Sequence, residues 1–75
     1  MTTALRLRST GPALHRIRDG YWRVTAGSGA VLGYVEQFDS DGVARFRAKH
    51  LVPGTTRVVE LGEFWHREEA AECLR

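Results

Sequence analysis

Arg45, Arg47 and Lys49 stand at alternate positions in the run 43-VARFRAKHL-51. A period of two puts alternate side chains on one face of a β-strand, so these residues predict a row of three cations. Such a row can contact phosphates or read guanine edges, and the DNA major groove admits strands. Ala44, Phe46, Ala48 and His50 fall on the other face, where large Phe46 beside small Ala48 suits a covering helix. Arg6, Arg8, Arg16 and Arg18 all precede the first acid, Asp19, and Arg23 follows soon after. These five complete the candidate DNA-contacting set, with the arginines nearest the N-terminus suited to phosphate or minor-groove contacts.

Other chemistry finds little support. His15, His50, His66 and Cys73 lack metal-ligand spacing, so no metal site is expected. Gly27-Ser28-Gly29 is followed by no Gly-Lys-Ser/Thr and opens no helix, which makes it a hairpin turn and not a phosphate loop. Nothing brings serine, histidine and acid together, and so small a chain cannot enclose a substrate. Neither an enzyme nor a cofactor is expected. Tyr21, Trp22, Phe38 and Trp65 have rings that can stack on bases. Trp22 and Trp65 are assigned to the core, and Tyr21 is the better surface candidate.

The chain has 75 residues and a net charge of +2. That length makes one domain, and a domain this small buries only about 60% of its unfolded surface. Charge is uneven: from Glu60 onward five glutamates outnumber Arg67 and Arg75. A basic front and an acidic end hint at nucleic acid, but on composition alone a solvated surface is the favoured reading. The lone Cys73 allows no internal disulfide and reads as an inert or half-exposed thiol. No apolar run reaches a membrane span, and the N-terminus lacks the apolar core of a signal peptide. A cytoplasmic protein is expected.

Turn signals divide the chain. Residues 1–12 are polar, end in Gly11-Pro12 and predict a flexible basic arm; residues 13–75 form the domain. Ala13 to Arg18 reads as a short helical turn or a strand. Asp19-Gly20 is a hairpin signal, and Tyr21 to Ala26 is a strand with Trp22, Val24 and Ala26 on one face. Strands are predicted over Ala30 to Phe38 and Val43 to Leu51, separated by Asp39-Ser40-Asp41-Gly42. Pro53-Gly54 fits a type II turn. Thr55 to Leu61 is a further strand, with Arg57, Val59 and Leu61 on one face and Val58 and Glu60 on the other. Gly62 then predicts a sharp turn. The segment 67-REEAAECLR-75 is rich in helix formers, and Ala70, Ala71 and Leu74 make its apolar stripe. Too short to stand alone in water, this helix must pack on the sheet through Leu61, Phe64 and Phe46. Short connections argue for an antiparallel meander. The expected fold is α+β: three to four strands packed on one C-terminal helix, with the opposite sheet face open.

The stretch 57-RVVELGEFWHREEAA-71 resembles the strand–turn–helix of the plant ethylene-response-factor DNA-binding domain, through Leu61, Gly62, Phe64, Glu68, Glu69, Ala70 and Ala71. It is similar also to the arm-site-binding domains of phage and transposon integrases. The resemblance spans roughly residues 31–74. It implies a three-stranded sheet lying in the major groove with its helix facing away. Two positions depart: the family's DNA-facing tryptophan falls at Glu60 and its arginine near Val58. Glu36 adds a further negative charge. The resemblance implies a small binder of double-stranded DNA, such as a phage or mobile-element regulator or accessory factor. The alternative is a protein-interaction module, an adaptor or inhibitor, using the same sheet face or an edge strand. Mixed charge around the cation row fits that alternative better.

Overall fold

A computed structural model of the protein describes residues 11–75. It is an α+β domain: one five-stranded antiparallel sheet and one C-terminal helix. The strands are β1 (Ala13–Arg18), β2 (Tyr21–Thr25), β3 (Val31–Ser40), β4 (Val43–Leu51) and β5 (Val58–Phe64), in spatial order β1-β2-β3-β4-β5. The helix is α1 (Arg67–Cys73). The expected arm lies outside the described residues, apart from Gly11 and Pro12.

There is one strand more than the three to four expected. The addition is β1, whose sequence ALHRIR has almost no apolar alternation; only Leu14 in it is even half-buried. Pairing with β2 makes it a strand, because the Asp19-Gly20 turn returns the chain onto it. Gly20 supplies the left-handed backbone that turn needs, at φ 73°. The β3–β4 turn uses Asp41 and Gly42, both at positive φ, as a two-residue hairpin with the favoured twist requires.

Trp22, Val24, Val35, Ala48, Ala70, Ala71 and Leu74 form the buried core, with Leu14, Leu32, Phe46 and Phe64 packed around it. Small residues bring α1 close: Ala48 and Ala70 are fully buried. Gly33 serves the same economy inside the sheet, since a Cβ there would collide with the Lys49 carbonyl oxygen. The helix begins at His66, whose backbone N–H donates to the Glu69 carboxylate at 3.2 Å. Glu68 and Glu69 occupy its first turn, where the helix dipole favours anions.

Three expectations near the C-terminus are corrected. Gly62 is not a turn: β5 starts at Val58, runs through Gly62, which pairs with Ala48, and reaches Phe64 before the chain turns at Trp65-His66. Leu61 does not support the helix and is 46% exposed. Lys49 pairs with Glu60 and Ala48 with Gly62, so Leu61 is the extra residue of a β-bulge. Phe64 takes its place against the core. Trp65, expected in the core, is 59% exposed because it follows the strand on the uncovered side, where Arg45 meets it.

Candidate nucleic-acid interface

Among the described residues nothing covers the sheet face opposite α1, and cross-strand register determines what that face presents. Residues directly opposite one another in an antiparallel pair share a face. Tyr21 pairs with Glu36, Glu36 with Arg47, and Arg47 with Glu63. Arg23 pairs with Tyr34, Tyr34 with Lys49, and Lys49 with Glu60. Phe38 pairs with Arg45. All three cations of the β4 row therefore lie on the open face, as their alternation predicts.

Their surroundings are less open than the sequence suggests. Arg47 sits among three carboxylates: Glu60 at 3.2 Å, Glu36 at 3.4 Å and Glu63 at 3.5 Å. The contact to Glu60 is an ion pair and not an aligned hydrogen bond, since the buried Nε atom has no hydrogen-bond partner. Lys49 shares Glu36, with Nζ 2.9 Å from its Oε1. That hydrogen bond from Lys49 holds the Glu36 carboxyl below its ordinary value of 4.5; partial burial opposes the shift, and the charges of Lys49 and Arg47 reinforce it. Burial works against the charge on Arg47, yet Glu60, Glu63 and Glu36 outweigh it and raise its pKa.

Strict alternation would put Glu60 and Glu63 on opposite faces. The bulge at Leu61 brings both onto the open face, one beside Lys49 and one beside Arg47. This is the feature of the candidate site that sequence reasoning missed, although the Leu-Gly pair between the glutamates was a signal for it.

Rings and cations interleave over the rest of the face. Tyr21 and Tyr34 stack with centroids 5.6 Å apart and planes within 13°. Arg18 lies 4.3 Å over Tyr21, Arg47 4.0 Å over Phe38 and Arg45 4.2 Å over Trp65. Tyr21, the expected surface ring, lies half-buried on this face. Arg23 is exposed on the same face. Among the described residues, Arg18, Arg23 and Arg45 make no ion pair with a carboxylate.

The remaining candidates separate from this group. Arg16 pairs with Trp22 across the β1–β2 ladder, hence on the helix side, and is bound to Asp19. It borders a groove of about 560 Å³ that is also lined by Trp22 and Arg67, the latter 4.9 Å over the Trp22 ring. Arg6 and Arg8 lie outside the described residues. Among the described residues no group of three or more His, Cys, Asp or Glu is placed to hold a metal, and no helix is long and apolar enough to cross a membrane. No known protein family, curated protein or solved structure matches the chain. The likeness to the ethylene-response-factor domain therefore rests on its motif alone.

Proposed function

We propose that the protein is a small nucleic-acid-binding domain that works through the open face of its sheet. The observation that carries this reading is the interleaving of rings and arginines there: Tyr21, Tyr34, Phe38 and Trp65, with Arg18, Arg47 and Arg45 over three of them. Aromatic and guanidinium planes are surfaces on which bases stack. Glu68, Glu69 and Glu72 lie on the helix, across the sheet from this face. Their charge disfavours phosphate on the helix side.

The expected contact set shifts in emphasis. Arg18, Arg23 and Arg45 carry the phosphate contacts. Arg47 and Lys49 are largely neutralised by Glu36, Glu60 and Glu63. Across residues 11–75 nine cations meet nine carboxylates, so the domain alone supplies little long-range attraction. Arg6 and Arg8 account for the whole net charge of +2. Binding should be modest and lost readily in salt. A role as a phage or mobile-element regulator remains part of this proposal and rests on the motif resemblance.

A second reading has an observation in its favour. A cation row already paired with carboxylates is better suited to the mixed surface of a partner protein than to a polyanion. Docking would use the same face or an edge strand, β1 or β5. Fluorescence anisotropy with labelled random-sequence oligonucleotides at low salt separates the two. Binding that weakens as salt rises supports the nucleic-acid reading. No binding up to about 100 µM protein, the weak end of non-specific affinities, overturns it in favour of the protein partner.

A further inference from the structure

We infer that the open face takes unpaired bases, a single-stranded nucleic acid, in preference to a duplex. The inference rests on the nucleic-acid reading above and specifies its substrate. Width is the first argument. Five strands with four spacings of about 4.8 Å make the face roughly 19 Å across. The major groove of DNA is only about 12 Å wide. A three-stranded sheet of about 10 Å enters it; this sheet does not, because β1 and β5 would meet the phosphate walls. At the β5 wall the duplex would face Glu60 and Glu63, both about half-exposed.

The second argument is the placement of the rings. Phe38 lies two residues beyond Glu36, the partner of Tyr21, so Tyr21 and Phe38 are diagonal neighbours about 7–8 Å apart. Arg45 follows on β4 and stacks on Trp65 past the end of β5. Planar groups thus cross the strands from β2 to the far edge at the end nearest the β3–β4 turn. A duplex hides its base faces within its own stack and cannot use such a row. A single strand lays its bases on the row and leaves its phosphates outward, toward Arg18 and solvent.

Trp65 provides the test. It is 59% exposed, whereas Trp22 is 8% exposed in the core. Tryptophan emission and anisotropy are followed at low salt with short oligo(dT), oligo(U) and a random-sequence duplex of equal length. Either single strand should quench emission and bind at least about tenfold tighter than the duplex, and their ranking assigns the sugar. Trp65→Ala should abolish the quench and weaken single-strand binding by roughly five- to 150-fold, the usual span for loss of one stacking partner. Circular dichroism and the remaining Trp22 emission confirm that this variant is folded. A duplex that binds as tightly as the single strands, or Trp65→Ala binding like wild type, overturns the inference while leaving the nucleic-acid reading intact. Absence of binding to all three probes overturns both.

Discussion

Replacing Glu60 and Glu63 together with glutamine should turn a paired arginine into a working one. Both carboxylates contact Arg47, at 3.2 and 3.5 Å, and are 50% and 41% exposed. Exposed pairs of this kind contribute little to stability, and glutamine keeps their shape, so the fold should persist. A nucleic acid on the face would feel two changes. Each lost carboxylate removes a repulsion that, at roughly 7 Å from a phosphate in bulk water, weakens binding about threefold; together they are worth about eightfold. Arg47, left with Glu36, is also freed to neutralise a phosphate. That should steepen the log–log salt dependence by about 0.7 for a single strand or 0.9 for a duplex. The assay is anisotropy across a salt series from about 0.01 M, where the screening length is near 30 Å, to 0.1 M, where it is near 10 Å. The gain should be largest at the low end. A folded double variant with wild-type affinity and slope would mean that nucleic acid does not lie over Arg47, and would refute the placement.

Three further outcomes test the frame that holds the face. Leu74→Ala, at a side chain 3% exposed, should cost about 2 kcal/mol in urea unfolding, while Ala71→Glu should cost more by burying an unpaired charge; an unchanged midpoint for Ala71→Glu would put the wrong face of α1 against the sheet. Gly33→Ala should lose several kcal/mol by forcing β3 from the Lys49 carbonyl, against a total of about 3–10 kcal/mol for a domain of this size, and the checking measurement is the thermal midpoint. The Glu36 carboxyl is held below 4.5 in the folded state, so its stabilising contribution is complete above that pH and disappears as pH falls through the lowered value. Glu36→Gln should accordingly flatten the decline of melting temperature below about pH 4.5, and a variant that declines as steeply as wild type would assign the acid sensitivity elsewhere.

What the sequence disclosed follows from which rules are local. The strand Val43–Leu51 was legible to the residue, because alternation and flanking turn residues both mark it. So were the apolar stripe of α1 and the positive-φ glycines of the turns, since each depends on neighbours in the chain. β1 was ambiguous because an edge strand with one half-buried residue carries no periodic signal. Leu61, Gly62 and Trp65 were misplaced for one shared reason. The extra residue in β5 is defined only against β4, and one such residue reverses the facing of everything on one side of it.

That same bulge shapes the candidate site. Without it, Glu60 and Glu63 would point to opposite faces, and Arg47 would keep at most one of the two. With it, β5 places both carboxylates beside the β4 cations, and β3 supplies Glu36 from the other side. The face is thereby divided. Its centre and β5 side are charge-balanced, while Arg18 and Arg23 on the β1–β2 side lack acidic partners among the described residues. Among the described residues this face offers no continuous cationic track. A ligand that needs flat rings and a few cations without acidic partners finds both within one sheet face. On the proposed reading, the order of binding strength among single strand, duplex and partner protein depends on a backbone irregularity at Leu61 as much as on the arginines around it.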